Sequence, residues 1–187
     1  MRYDRYAVLD VETTSGDPRI GEVMEVAVVA LDGPIERVRW ESLVRPSGKI
    51  PPFIRRLTGI TDGMVASAPR FHEVVRTLET LTQDRIVVAH NVRFDMTALE
   101  HEFARTGLVF DRDTVCTERL ARRLLPDLEH YNLGALCRYL GIPFAAAHRA
   151  GADAEATARL FTRLLDEFGS ASVHEQLVSW PRAFHAQ

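Results

Sequence analysis

At 187 residues, 46% of them hydrophobic, the chain has material for one sizeable core and too little for two comfortable domains. A formal net charge of -3 argues against a general nucleic-acid coat that works by phosphate neutralisation, but not against an enzyme that grips a polynucleotide locally through bound cations. Lys49 is the only lysine, so the other 22 basic residues are arginines, whose planar forks suit phosphate contacts if they line a groove.

The amino terminus, MRYDRYAVLDV, shows no signal-peptide apolar region and no small-residue cleavage site, and cytoplasm is the expected compartment. Residues 6–11 (YAVLDV) form a short apolar run ending in acids and read as a buried strand. Residues 22–31 and 37–44, split by Asp32, Gly33 and Pro34, read as two strands of an antiparallel meander. From 46 to 70 the chain is punctuated by prolines and glycines, which predicts a long irregular connection with a short helical piece around 52–57. Phe71, Val74, Val75, Leu78 and Leu81 fall at helical spacing.

Residues 85–89 (RIVVA) predict another buried strand, turning at His90–Asn91 into a helix that ends near Gly107. Residues 114–125 read as a helix stopped by Pro126, and Leu133, Leu136, Cys137 and Leu140 as the next, closed by Gly141. The last helix spans about 152–168 and ends at Gly169. Cys116 and Cys137 lack CxxC spacing and zinc-like partners, and are expected as free, partly buried thiols. The domain is expected to cover 1–170, with 171–187 as a tail packed on it or extending from it through Trp180 and Phe184. Strands first, then mixed elements, then helices indicate an α/β fold with a mixed sheet.

Chemistry is concentrated in three clusters: Asp10 and Glu12 in YAVLDVETT, Asp95 in VVAHNVRFD, and His148 with Asp153 in HRAGADAEATARLF. Asp10 and Glu12, two apart on a strand, share one face, and like charges side by side destabilise a sheet unless a cation compensates. Mg²⁺ and Mn²⁺ prefer such hard carboxylate oxygens. Taken singly, Asp95 and Asp153 are ordinary first-turn helix acids and His148 an ordinary loop histidine. Together they point to metal-assisted phosphodiester hydrolysis.

VLDVETT, AHNVRFD and HRAGADAEATA resemble the three motifs of the DEDDh (DnaQ-like) 3′–5′ exonucleases, the family of the proofreading epsilon subunit of bacterial DNA polymerase III. The resemblance extends over about residues 5–168 and includes LTGITDGMVASAP and YNLGALCRYLGIP. It implies a ribonuclease H-like fold with a central mixed sheet of about five strands flanked by helices. It also implies that Asp10, Glu12, Asp95 and Asp153 hold two divalent ions, Mg²⁺ or Mn²⁺, with His148 as general base. By the same resemblance Thr13, Thr14, His90, Asn91 and Phe94 contact the terminal nucleotide. Ser15 stands where the family has a glycine.

The implied function is a metal-dependent 3′–5′ exonuclease releasing nucleoside 5′-monophosphates from single-stranded ends, DNA favoured over RNA. An exoribonuclease is the nearest rival, and a non-catalytic nucleic-acid-binding module is the rival from another class. No membrane is expected as a partner. A stable polymerase association is not expected, since little chain follows the last helix. Gln176–Trp180 has only a vague similarity to a clamp-binding peptide, and the arginines at 55–56, 119, 122 and 123 read as solvated faces.

Overall fold

A computed structural model describes residues 4–144 and 148–180. Phe184, one of the two aromatics expected to pack the tail, lies outside the described residues. Six strands form one sheet: β1 (Arg5–Thr13), β2 (Val23–Asp32), β3 (Ile35–Leu43), β4 (Ile86–Ala89), β5 (Arg112–Cys116) and β6 (Val178–Trp180). They lie in the order β3-β2-β1-β4-β5-β6. β1 runs parallel to β4 and β4 to β5, while the remaining neighbours are antiparallel. The mixed sheet is as expected, but it has six strands rather than five. β5 and β6 are the strands that the residues did not announce, and Trp180 of β6 is only 2% exposed and packs into the core.

Among the described residues seven helices flank the sheet: α1 (Pro52–Thr58), α2 (Asp62–Val65), α3 (Phe71–Thr82), α4 (Val92–Arg105), α5 (Thr117–Leu124), α6 (Leu133–Tyr139) and α7 (Ala150–His174). The helix expected over 114–125 starts only at Thr117. Residues 114–116 belong to β5, where Thr114, Val115 and Cys116 are buried in a strand too short to show a period of two. α7 is broken at Gly169, whose φ of 78° and ψ of 159° no helix accommodates. Cys116 and Cys137 are free and buried. No helix among the described residues is long and apolar enough to cross a membrane.

The two faces of the sheet carry separate apolar layers, and strand parity decides which residue joins which. Ala7, Leu9 and Val11 of β1 pack with Val74, Leu78, Leu99 and Phe103 from α3 and α4. Tyr6 and Val8 pack with Leu120, Leu136, Leu160 and Phe161 from α5, α6 and α7. The alternation continues beyond the apolar residues, so Asp10 and Glu12 emerge on the α7 face. A third, smaller cluster of Met24, Ile50, Ile54, Ile60 and Val65 seats α1 and α2. β1 and β4, being parallel, end together, and the crevice beyond such carboxyl ends is the usual ligand site of α/β sheets.

Candidate active site

An open cleft of about 350 Å³ lies at those strand ends. Asp10, Glu12 and Thr13 reach it from β1, His90, Asn91, Phe94 and Asp95 from the β4–α4 turn, and His148 and Asp153 from the start of α7. The oxygens of Asp10, Glu12 and Asp153 approach within 4.8 Å of one another, a spacing that a divalent ion can bridge. Asp95 is buried, and its Oδ1 accepts the Val11 amide at 3.1 Å, which ties α4 to the end of β1. The His148 amide donates to Asp153 Oδ2 at 2.8 Å. His148 itself is exposed and left-handed, with φ of 65°, and Asn91 at the cap of α4 shares that value. Two of the three non-glycine residues with positive φ among the described residues thus line the cleft, where strain often gathers.

The proposed nucleotide contacts divide. Phe94 both lines the cleft and packs on the apolar layer of α3 and α4. His90 is held through Nδ1 by Thr117 Oγ1 at 3.0 Å, and burial lowers its pKa. The Thr13 hydroxyl donates to the Ser15 carbonyl. Thr14 is not among the cleft walls, and its Oγ1 accepts the Glu22 amide at 3.0 Å. Ser15 needs no glycine-like backbone, since it is absent from the positive-φ residues, and its Oγ accepts the Asp17 amide. The close approach in this turn falls to Gly21, where a Cβ would lie 3.2 Å from both the Ser15 nitrogen and the Thr13 Cβ.

Sequence reasoning missed Glu25 and Arg149. Glu25 pairs across the sheet with Glu12 and is 3% exposed. Arg149 closes on it through Nη2 at 2.6 Å and Nε at 3.1 Å, and the Ala150 amide adds 2.8 Å. This clamp fixes the start of α7, and with it His148 and Asp153, against β2. Glu25, a charge set inside the apolar stretch VMEVAVVAL, was the available signal. The α1 residues Ile54, Leu57 and Thr58, also missed, form another wall of the cleft.

The acids repel one another strongly. Asp10 titrates well above the usual carboxylate range because it is buried, and then because Asp95, Asp153, Glu12 and Glu25 surround it. Glu12 is pushed up to about 8 by burial, then by Asp153 and Glu25, against an opposing pull from Arg149. Asp95 and Asp153 are also raised, chiefly by burial. An acid whose folded pKa exceeds its unfolded value contributes stability that is full below the unfolded pKa and lost as pH rises. The metal-free protein is therefore expected to lose stability as pH climbs from about 4.5 to about 8. A cation must displace the same protons, so stabilisation by Mn²⁺ should grow over that range. Thermal unfolding in EDTA and in Mn²⁺ at pH 5, 6.5 and 8 checks this, and a gap that narrows with pH would refute it.

The donor set fits hard divalent cations, being all carboxylate and electrostatically short of positive charge. The basic clusters noted in the sequence are largely neutralised elsewhere: Arg55 by Asp62, Arg122 by Glu118 and Arg123 by Glu175.

Comparison with known proteins gives a consistent result. The family model described as Exonuclease (RNase T) matches residues 7–161. The DNA polymerase III epsilon subunit of Aquifex aeolicus is 34% identical over 163 residues, covering 87% of this chain and 81% of its own length. A PolC-type DNA polymerase III of Bacillus cereus is 36% identical over 165 residues, 88% of this chain but 12% of that protein. Most of the curated relatives are similarly long: the chain spans 12% of the PolC-type polymerases and 18% to 19% of the DinG exonucleases of Bacillus subtilis and Staphylococcus haemolyticus. Among solved structures, Exonuclease X in complex with 5′ overhanging duplex DNA superposes with a TM-score of 0.73 at 27% identity, over 91% of this chain and 97% of that one. The nuclease domain of 3′hExo, a DEDDh family member, shares the fold with a TM-score of 0.78 at 19% identity, over 90% and 94% of the two chains.

Proposed function

This chain belongs to the exonuclease family, as a 3′–5′ exonuclease of the DEDDh type, and on that premise we propose that it shortens single-stranded DNA from the 3′ end and releases nucleoside 5′-monophosphates. The observation that carries the proposal is the convergence of Asp10, Glu12, Asp95, Asp153 and His148 on one open cleft. The preference for DNA over RNA leans on the DNA polymerase relatives and the DNA-bound structural neighbour.

In this reading Asp10, Glu12, Asp153 and Asp95 hold two Mg²⁺ or Mn²⁺ ions, which when bound supply positive charge to the phosphate and acidity to the attacking water. His148 takes the proton from that water, its imidazole lying on an exposed loop whose backbone Asp153 secures. An imidazole suits the task because its reference pKa of about 6.5 lets it accept a proton near neutral pH. Asn91 and Phe94 orient the terminal nucleotide, the ring offering a stacking face and the left-handed cap opening the turn beside it. Asp95 keeps β1 and α4 at fixed separation while the nucleotide exchanges.

The test is incubation of matched 5′-labelled DNA and RNA oligomers with Mn²⁺ or EDTA, beside His148→Ala. A shortening ladder that requires metal is expected, faster on DNA, with His148→Ala slower by about 10²- to 10⁴-fold. His148→Ala should still gain thermal stability from Mn²⁺, because no acid has been removed. Faster trimming of RNA would transfer the proposal to exoribonuclease action. A ladder that His148→Ala leaves at the wild-type rate would remove the histidine from its role. No ladder on either polymer, with metal bound, would favour a binding module.

A further inference from the structure

Among the described residues no arginine or lysine lines the catalytic cleft, although its proposed substrate is a polyanion. A second groove of about 430 Å³ adjoins it and shares Gly16, Asn91 and Phe94 with it, and this groove has two arginines, Arg19 and Arg93. Arg19 is committed, since its Nε and Nη2 grip Asp17 at 2.9 and 2.7 Å. Arg93 is exposed, and no carboxylate among the described residues pairs with it.

The fold gives Arg93 no evident use. It occupies the first turn of α4, where the helix dipole disfavours a cation. We propose that this groove is a second phosphate subsite in which the Arg93 guanidinium holds a backbone phosphate of the nucleic acid outside the terminal nucleotide. The inference rests on the exonuclease reading and deepens it, by adding a contact that only a polynucleotide can make. Guanidinium suits the task because it stays charged and offers paired donors to phosphate oxygens. The phosphate belongs either to the cleaved strand, 5′ of the scissile bond, or to the complementary strand of a recessed duplex. Both sources offer the same chemistry.

The experiment compares wild type with Arg93→Ala and Arg93→Lys on three substrates: a 12-nucleotide single-stranded DNA, the same strand with its 3′ end recessed in a duplex, and the 4-nitrophenyl ester of thymidine 5′-monophosphate. The ester presents a terminal nucleotide and no further phosphate. Arg93→Ala is expected to raise KM for the oligonucleotide about tenfold, with kcat little changed and partial recovery in Arg93→Lys. The dependence of log KM on log salt should weaken by about 0.7 for a single strand. On the ester the difference between variant and wild type should vanish. A neutral methylphosphonate linkage should erase the oligonucleotide difference when placed in the contacted strand, which separates the cleaved strand from its complement.

Equal KM and salt slope in wild type and Arg93→Ala on single-stranded and recessed substrates, with the ester still cleaved, would overturn the subsite and leave the exonuclease standing. A wild type inactive on all three substrates would overturn the exonuclease reading, and this inference with it.

Discussion

Asp10→Asn is expected to abolish nucleolysis and, in the absence of divalent metal, to make the protein more stable. The two effects have one cause. Asp10 is held among Asp95, Asp153, Glu12 and Glu25, and burial and repulsion together oppose its ionisation. A neutral amide of nearly the same shape removes that repulsion, with a gain of about 1–3 kcal/mol at pH 8. The gain should shrink as pH falls, because the raised wild-type carboxyl then takes up its proton and becomes neutral itself. Losing one ligand also removes several kcal/mol of charge stabilisation from the transition state, a rate loss of about 10³-fold or more. Urea unfolding in EDTA and in Mn²⁺ checks the stability half. The ranking of wild type and variant should invert between the two conditions. A variant less stable than wild type in both would mean that Asp10 serves the fold and not a cation.

Arg149→Ala should be the most damaging single change outside the acids. It strands Glu25, 3% exposed, beside Glu12 with only the Ala150 amide for compensation. Removing one partner of a buried pair commonly costs about 3–5 kcal/mol, and here about 2–4 because the Arg149 head is partly solvated. The rate should fall about a hundredfold as well, since the turn that carries His148 and Asp153 loses its anchor. Arg149→Lys should recover little, for a point charge does not reproduce the forked contact at 2.6 and 3.1 Å. Pairing Arg149→Leu with Glu25→Leu should restore much of the stability but not the rate, which tells positioning from folding. If the double variant is as unstable as the single, the buried charge is not the source of the loss. Should Arg149→Ala retain full kcat, the clamp has no part in placing the histidine.

The elements that sequence reading placed correctly carry either a helical period or an unbroken apolar run. α3 shows Phe71, Val74, Val75 and Leu78 buried at helical spacing, and β1 ends in its acids as expected. β5 and β6 escaped because Thr114–Cys116 and Val178–Trp180 are too short to display a period, and because β6 exists only through its pairing with β5. The four acids and His148 were named because the three motifs set them at element boundaries, and all five line one cleft. The Glu25–Arg149 clamp was missed because its partners stand 124 positions apart, and nothing in either local stretch says that the two charges meet. Thr14 was named with Thr13 through the family resemblance, but it follows the end of β1, and its Oγ1 accepts the Glu22 amide.

The alternation along β1 makes the active site a matter of reading frame. Tyr6, Val8, Asp10 and Glu12 face α7 only because each is an even step from the last, while Ala7, Leu9 and Val11 face the other layer. Substitution within either set changes one contact. Deleting a single residue between Tyr6 and Asp10 would instead transpose the sets, sending both acids under α3 and α4 and leaving Asp153 with no carboxylate opposite. The site therefore tolerates spelling changes in its scaffold but not a change of count, and it depends on the length of β1 as much as on the acids themselves.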